Sequence, residues 1–481
     1  MMDSRSSPQA TDLELAVQTL LYKTPRYTNY WSYYEGRHPL IYASEGLSDL
    51  FVDLRSRFSQ NWCSVVVNSV TDRIQLQRIL VADDDTASHN LATLLEASEV
   101  VLESEDVHLA ALVTGESFVI AWPDEESGQP EAYYNDSRNV HLFYEADQPR
   151  RKRFAAKWWI GDDGHRLLTL YYPERLEYYR STNAVSSQQG PPMFTNEVSN
   201  GKSFVLMDSE FNPYNAIPVF HFKRERRVIS SELANVIEPQ NAINKLLSDM
   251  MIAAEYGAFP QRYIISQASP GKFKNAPNLI WDIPGSDGEG QPTAVGQFAS
   301  TELSNYLEAI DKWTTAIAII SRTPKHYFFG QGGDPSGEAL IAMEAPLNHK
   351  AQKYITRWTA TWSELAQFMM QVAGMGLIED DAIIPVFDEP ETVQPYTQAL
   401  IRKESVAAGI PLMWQLEHVE GYTKQELDDL EAARQDEQGA QQQTLATALT
   451  NAQRNFDQNS LPRGDRGGAG VNGANGNGVE E

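Results

Sequence analysis

The chain is poor in cations, nearly free of cysteine and without a long apolar run. It holds one cysteine, Cys63, in 481 residues. Neither an intramolecular disulfide nor a cysteine-rich zinc site is therefore available, which fits a reducing compartment. Lys and Arg number 39 against 65 Asp and Glu, a formal charge of −26. Phosphate neutralisation needs clustered cations, so nucleic-acid binding through a global basic surface is excluded. No apolar stretch approaches the roughly 20 residues that cross a bilayer. Met1 to Ala10 is polar and lacks the apolar core of an export signal. The expectation is a soluble protein of the cytoplasm. Hydrophobic residues at 42% and charged residues at 22% are ordinary for a folded chain. The length suggests about three domains, or one core with elaborations.

Catalytic patterns are also missing. Asn200-Gly201-Lys202-Ser203 ends like a phosphate loop, but Asn196 stands where the first glycine is needed. The loop Gly330 to Gly337 follows a helix and has Pro335 at the last glycine position of the dinucleotide pattern. Mobility is all that can be inferred for it. Nine histidines are scattered, none of them in His-Glu-x-x-His, and no Gly-x-Ser-x-Gly elbow appears. Cys63, between Trp62 and a valine run, reads as a buried, inert thiol. The expectation is a chain that is not an enzyme and uses no cofactor and no metal. Two basic clusters stand out, Arg150-Arg151-Lys152-Arg153 and Lys223-Arg224-Glu225-Arg226-Arg227. Each reads first as a solvated or salt-bridged strand end, and second as a contact to nucleic acid or an acidic neighbouring subunit.

Apolar periodicity divides what is present. From about Thr11 to Ala82 the chain reads as helical, with Leu47, Leu50, Phe51, Leu54 and Phe58 on one face and Val65 to Ile74 continuing the character. Asp83 to Asp85 reads as a solvated turn and Asn90 to Leu102 as a helix. Gly115 to Phe222 reads as strands. Within it, Phe154–Ile160 and Leu167–Tyr172 form a hairpin about Gly161-Asp162-Asp163-Gly164, and Ser181 to Pro192 reads as a loop. Two helices follow, Glu238 to Gly257 and Thr301 to Arg322, each about 30 Å long at 1.5 Å per residue. The first carries Ile243, Leu246, Leu247, Met250 and Ala254; the second carries Leu303, Leu307, Ile310, Trp313, Ile317 and Ile320. Between them Arg262 to Ile265 and Leu279 to Ile283 read as strands of a small β module. A long helix runs from Pro346, or from near Glu338 with a proline kink, to Ala373, with Leu347, Tyr354, Trp358, Trp362, Leu365, Met369 and Val372 aligned. Gln398 to Gln435 reads as helical, interrupted at Ala407 to Pro411. From Glu379 to Glu437 there are 15 acidic and 4 basic residues, so this end carries much of the negative charge. Beyond Gln441 the chain is rich in Gln, Asn and Gly, and disorder is expected from Gly464.

Several segments, in this order, resemble the portal proteins of long-tailed bacteriophages. They are Tyr33 to Leu40, Asn61 to Val67, Gln240 to Met250, Asn278 to Gly285, Thr323 to Phe328 and Ser336 to Leu340. The similarity spans about Leu20 to Glu437. It implies an α+β fold with a helical stem, a small β-containing clip, a mixed α/β wing and a helical crown. By position, 1–230 would be the N-terminal wing, 231–257 and 301–322 the stem helices, and 258–300 the clip. Residues 323–395 would be the tunnel loop and long wing helix, 396–437 the crown, and 438–481 a disordered tail.

The resemblance further implies a homo-oligomeric ring, typically of twelve subunits, at one capsid vertex of the virion, assembled in the host cytoplasm. Double-stranded DNA would pass through it, driven in by the terminase large subunit, and a head–tail adaptor would dock before genome exit. Major capsid and scaffolding proteins would be neighbours, and no membrane is involved. Lys245, Lys325 and His326 are candidates for rings facing DNA; salt bridges between subunits are the competing role. Gly330, Gly332, Gly333, Asp334, Ser336 and Gly337 belong to the expected tunnel loop. Lys272, Lys274 and Trp281 are candidate terminase or adaptor contacts. The competing identities are a minor head or capsid protein without a DNA channel, and a packaging nuclease or ATPase, which would need the motifs missing above.

Overall fold

The computed structural model describes residues 11–37, 59–82, 84–184, 203–258, 262–265, 294–297, 302–328, 337–376, 382–390 and 395–418, with helical positions between 427 and 448. Two compact units divide the chain, Met1–Thr392 and Val393–Glu481. The expected helix over Leu47 to Phe58 and the expected strand Leu279 to Ile283 lie outside the described residues. So do most of the loop ending at Pro192, Asn200 to Lys202 and the chain from Gly464 onward.

In the first unit α1 (Asp12–Tyr34) opens with a capping box: Thr11 accepts from the Glu14 amide, and the Glu14 carboxylate accepts from the Thr11 amide. Its buried face runs at helical spacing through Val17, Leu20, Lys23, Tyr27, Tyr30 and Tyr33. α2 (Trp62–Thr71) supplies Cys63, Val66, Val67 and Val70 to the core. Burial pushes the Cys63 thiol up to about 12, which suits the inert reading.

Where helix was expected to continue, β1 (Leu76–Val81) pairs antiparallel with β12 (Ile383–Phe387), far along the chain. The single helix expected over Asn90 to Leu102 is two, α3 (Asp85–Ala97) and α4 (Val100–Thr114). The break falls at Glu99, whose φ of 51° is left-handed. Asp84, expected in a plain turn, caps α3 by accepting from the Ala87 amide at 2.8 Å.

Two antiparallel sheets follow. The smaller has the order β3–β2–β9, from Pro130–Asn135, Glu116–Pro123 and Val219–Lys223. The larger is a five-stranded meander, β4 (Val140–Tyr144), β5 (Lys152–Ile160), β6 (His165–Tyr171), β7 (Arg175–Ala184) and β8 (Phe204–Phe211). β5 and β6 form the expected hairpin. β7 runs to Ala184, past the expected loop boundary at Ser181, because Arg180 and Ser181 pair with Val205 and Phe204 on β8. One face of the meander packs against the smaller sheet through Phe118, Ile120, Val140, Leu142 and Tyr171. The other carries α1, with Val17 and Leu20 over Phe154, Trp158 and Leu168.

The main core gathers around α7 (Gly337–Val372), about 54 Å long for its 36 residues. Of the expected stripe, Leu347, Tyr354, Trp358, Trp362, Leu365 and Met369 are buried, and Val372 at the end of the helix is only partly so. The helix begins at Gly337 and contains Pro346. Ahead of it come α5 (Ile237–Ala258) and α6 (Ser304–Ser321), which pack side by side. Between them β10 (Arg262–Ile265) pairs with β11 (Ala294–Gln297), with Arg262 opposite Gln297. In the second unit α8 (Pro395–Ala407) and α9 (Leu412–His418) are separated by Gly409 at φ 95°, the expected interruption. No described helix is long and apolar enough to cross a membrane.

Candidate functional site: a helical hairpin rooted in a buried charge hub

The two helices α5 and α6 pack side by side on either side of the β10–β11 ribbon in the sequence, and their roots are held by polar groups. α5 starts at Ile237, so Pro239 sits in its first turn, where a missing N–H leaves no intrahelical bond unmade. Gln240 accepts from the Trp62 amide at 2.8 Å and donates to the Gln60 carbonyl at 2.7 Å. Asn241 accepts from the Tyr33 hydroxyl at 2.9 Å. These bonds fasten the first turns of α5 to the end of α1 and the start of α2.

Glu232 is the centre of the joint. Gly115 ends α4 at φ 97°, and a Cβ there would stand 2.7 Å from the Ser230 carbonyl carbon. Only glycine lets the 230–232 segment cross so close. That crossing buries Glu232, whose amide donates to the Leu112 carbonyl at 2.9 Å. Its carboxylate accepts from Lys350, from Arg224 at 3.0 Å and from the Tyr354 hydroxyl at 3.1 Å. Lys350 also donates to the Ser321 carbonyl at 2.6 Å, in the last turn of α6. One carboxylate therefore ties the approach to α5, the end of α6 and the middle of α7. Burial pushes the Lys350 ammonium toward losing its proton, and Glu232 opposes this.

A second clamp holds the exit of α6. Arg322 leaves the helix at φ 60°, and a short 3-10 turn spans Lys325–Tyr327. Arg73 donates to the Tyr327 hydroxyl at 2.7 Å and to Asn348 at 2.9 Å, and pairs with Glu344 at 3.4 Å. Phe328 meets Trp62 edge-on at 5.3 Å between ring centroids. The chain thus leaves α6 and begins α7 beside the same arginine.

The candidate channel cations all have acidic neighbours within their own chain. Lys245 pairs with Asp249 one turn along α5. Lys325 lies 4.0 Å from Asp311, both more than half exposed, and His326 lies 3.7 Å from Glu344. Exposed pairs hold a side chain by only about 0.2–1 kcal/mol, so the Lys245 and Lys325 ammonium groups can still face outward, whereas His326 leans on the largely buried Glu344. Lys325 and His326 are adjacent, whereas Lys245 is on the other helix. Gly337 is the first residue of α7. Gly330, Gly332, Gly333, Asp334 and Ser336, and likewise Lys272, Lys274 and Trp281, lie outside the described residues. Among the described residues no group of three His, Cys, Asp or Glu side chains is placed to hold a metal.

The apolar stripe expected on the second helix is buried only at its root. Ile317 is buried, but Leu307, Trp313 and Ile320 are 57%, 44% and 48% exposed. Two helices cannot cover each other's outer faces, and nothing else in the described unit covers them.

A further buried cluster lies behind α1. Glu116 accepts from Lys23 at 3.2 Å and from Tyr27 at 2.8 Å, and it stands 2.9 Å from His221 Nε2. Burial alone would raise the Glu116 pKa. Lys23, His141 and His221 together outweigh it and hold the carboxyl well below the usual range. Sequence reading missed this cluster and the Glu232 joint. Lys23 did leave a trace, as a lysine within the apolar stripe of α1.

Residues 18–440 match the family model described as "Phage portal protein, SPP1 Gp6-like". A protein named Portal protein from Mycobacterium phage D29 is 23% identical over 332 residues, covering 66% of this chain and 66% of its own. Its namesake from Mycobacterium phage L5 is 22% identical over 339 residues, covering 66% and 65%. The match spans slightly under two thirds of the curated relatives' length.

Proposed function

Because the chain belongs to the SPP1 Gp6-like family of phage portal proteins, a structural and not an enzymatic family, we propose that it forms a ring at one capsid vertex. The ring is the channel through which terminase packages double-stranded DNA and through which the genome leaves, and it docks the head–tail connector proteins. The observation that carries this reading is the α5–α6 pair with a β ribbon at its far end and an uncovered apolar outer face. Rods of this kind, repeated about an axis, bury those faces against the next copy at about 25 cal/mol per Å². A head-to-tail contact that closes gives a ring.

In this reading α5 and α6 are the stem and residues 258–300 the clip, where Lys272, Lys274 and Trp281 would meet terminase or adaptor. Residues 1–230 and the long helix α7 are the wing, the loop from Phe328 to Gly337 approaches the tunnel, and 396–437 is the crown. A charge of −26 per copy repels phosphate, so DNA would slide and not adhere.

Size-exclusion chromatography with light scattering, followed by negative-stain imaging, tests the ring. The expected result is a multi-subunit particle with a central hole. A monomer, or a closed shell without a hole, would overturn the reading, the second in favour of a capsid role.

Lys245 and Lys325 provide a test of the channel. Replacing both by glutamine is expected to lower the DNA packaged per particle while rings still assemble, because each loses only a weak surface pair. Unchanged DNA content would reject their channel role.

A further inference from the structure

The two basic clusters of the sequence, separate along the chain, converge in the fold. Arg150 and Lys152 from the first, Lys223 and Arg226 from the second, and Arg357 of α7 line one cleft of about 790 Å³. Glu364 is its one acidic lining residue. It already occupies Lys152, at 2.6 Å. Arg357 donates to the Arg224 carbonyl, and the Lys223 ammonium stands over the Tyr144 ring, 3.8 Å from its centroid. Arg150 and Arg226 are exposed, and no ion pair engages them among the described residues. The cleft also has an apolar part, with Ile217 and Phe368. In a chain of net charge −26 this is a concentrated positive site.

Its complement is on the same chain. No Lys or Arg occurs between Arg78 and Arg138. Along α4 that acidic tract exposes Leu102 at 77%, and Glu99, Glu105 and Asp106 lie three or four residues to either side. That spacing puts them on one helix face. Asp72 adds to the same charge: Asp72, Glu105 and Asp106 all act on the Tyr34 hydroxyl. An exposed leucine ringed by carboxylates matches a cleft with an apolar part and a basic rim.

We propose that the Arg150–Arg226 cleft receives the acidic face of α4 from the neighbouring copy, seating Leu102 against Phe368 and setting Glu105 and Asp106 against the two free arginines. The proposal rests on the ring reading and names the contact that closes it. Cleft and knob are different surfaces, so the contact is head-to-tail, as a ring requires. It also answers how copies so alike in charge can adjoin, since the attraction is local and the repulsion is screened beyond about 10 Å at 0.1 M salt.

The test is a charge swap read by light scattering and negative-stain imaging. Arg150→Glu with Arg226→Glu, in the full chain, is expected to lower the ring fraction at least about tenfold, since like charges set face to face cost several kcal/mol. Glu105→Arg with Asp106→Arg should do the same. Combining all four in one chain should restore rings. Circular dichroism checks that each variant folds. Normal rings from Arg150→Glu with Arg226→Glu overturn the contact while leaving the ring reading intact. So does failure of the four-substitution chain to recover. Intact rings that package less DNA would also overturn it and assign the cleft to phosphate. A wild-type chain that never forms rings defeats both.

Discussion

Replacing Glu232 by alanine is expected to lower the unfolding free energy by about 3–5 kcal/mol, the usual cost of breaking a buried ion pair from one side. The carboxylate is the shared acceptor of Lys350, Arg224 and Tyr354. Without it Lys350 remains in the core with no carboxylate partner, and Arg224 keeps only its pair with the more exposed Glu225. Burial already disfavours the Lys350 ammonium, and Glu232 is what opposes that. In the variant Lys350 would shed its proton more readily, which limits the loss but does not cancel it. The damage should be local as well as global. Lys350 holds the last turn of α6 through the Ser321 carbonyl, so amide exchange should quicken there and at the start of α5. Glu232→Gln keeps one acceptor and should lose less. Urea titration at fixed protein concentration reads the effect. A midpoint unchanged in the alanine variant would show that the joint contributes nothing to holding the hairpin.

The helices of the hairpin and the spine of α7 were legible because their apolar residues recur at the helical period within one short window. The β5–β6 hairpin was legible for a related reason: its strands are close in sequence, and its turn carries Gly. Of the ribbon only β10 was legible, since its partner β11 at Ala294–Gln297 was not read as a strand. β1 was not. Leu76 to Val81 has no turn signal before it, and its partner β12 lies some three hundred residues on. Its strand character comes from a neighbour that local pattern cannot reveal. The break between α3 and α4 was hidden as well. Ser98 and Glu99 are neither glycine nor proline, and Glu99 takes a left-handed φ that its side chain does not favour.

The site was harder to read than the fold. Lys245, Lys325 and His326 were chosen for their charge, yet each has an acid of its own chain within reach. The groups that hold the hairpin, Glu232, Arg224 and Lys350, are spread over more than a hundred residues. A single carboxylate among 65 acidic residues carries no mark of burial. What did carry a mark was contrast. Both basic clusters stood out because the surrounding chain is so acidic, and they proved to share a cleft. His108 left a comparable trace. It sits in Val-His-Leu-Ala-Ala-Leu-Val, a helical turn apolar on every side, where a histidine is most simply a satisfied core residue.

That histidine sets the second large effect, a loss of stability with acid that begins well above the carboxylate range. His108 is fully buried, stacked on Trp358 with ring centroids 4.8 Å apart and surrounded by Phe222, Trp362 and Phe387. Its Nδ1 lies 3.1 Å from the Ile74 carbonyl, and its Nε2 accepts from the Trp362 indole at 3.1 Å. This pairing needs the neutral ring with its proton on Nδ1, because a protonated Nε2 could no longer accept. Burial lowers the pKa of His108 to about 3 and that of His221 to about 4, from 6.5. Both folded values are depressed, so the stability they contribute is complete above about pH 6.5. It is lost as pH falls through that range toward 4 and 3, since the unfolded chain takes up the protons first. At pH 5 the loss is about 2 kcal/mol for each histidine, at 1.36 kcal/mol per pH unit. Glu116, also held below its usual pKa, adds its own loss only below about pH 4.5. The two contributions therefore separate along the pH axis. Urea midpoints should fall steadily between pH 7 and pH 5, before the carboxylates titrate. His108→Gln retains a donor and an acceptor but cannot take up the proton. It should be less stable than the parent at pH 7, yet shallower in its pH slope by close to one proton. Equal slopes in parent and variant would mean that His108 does not resist protonation in the fold.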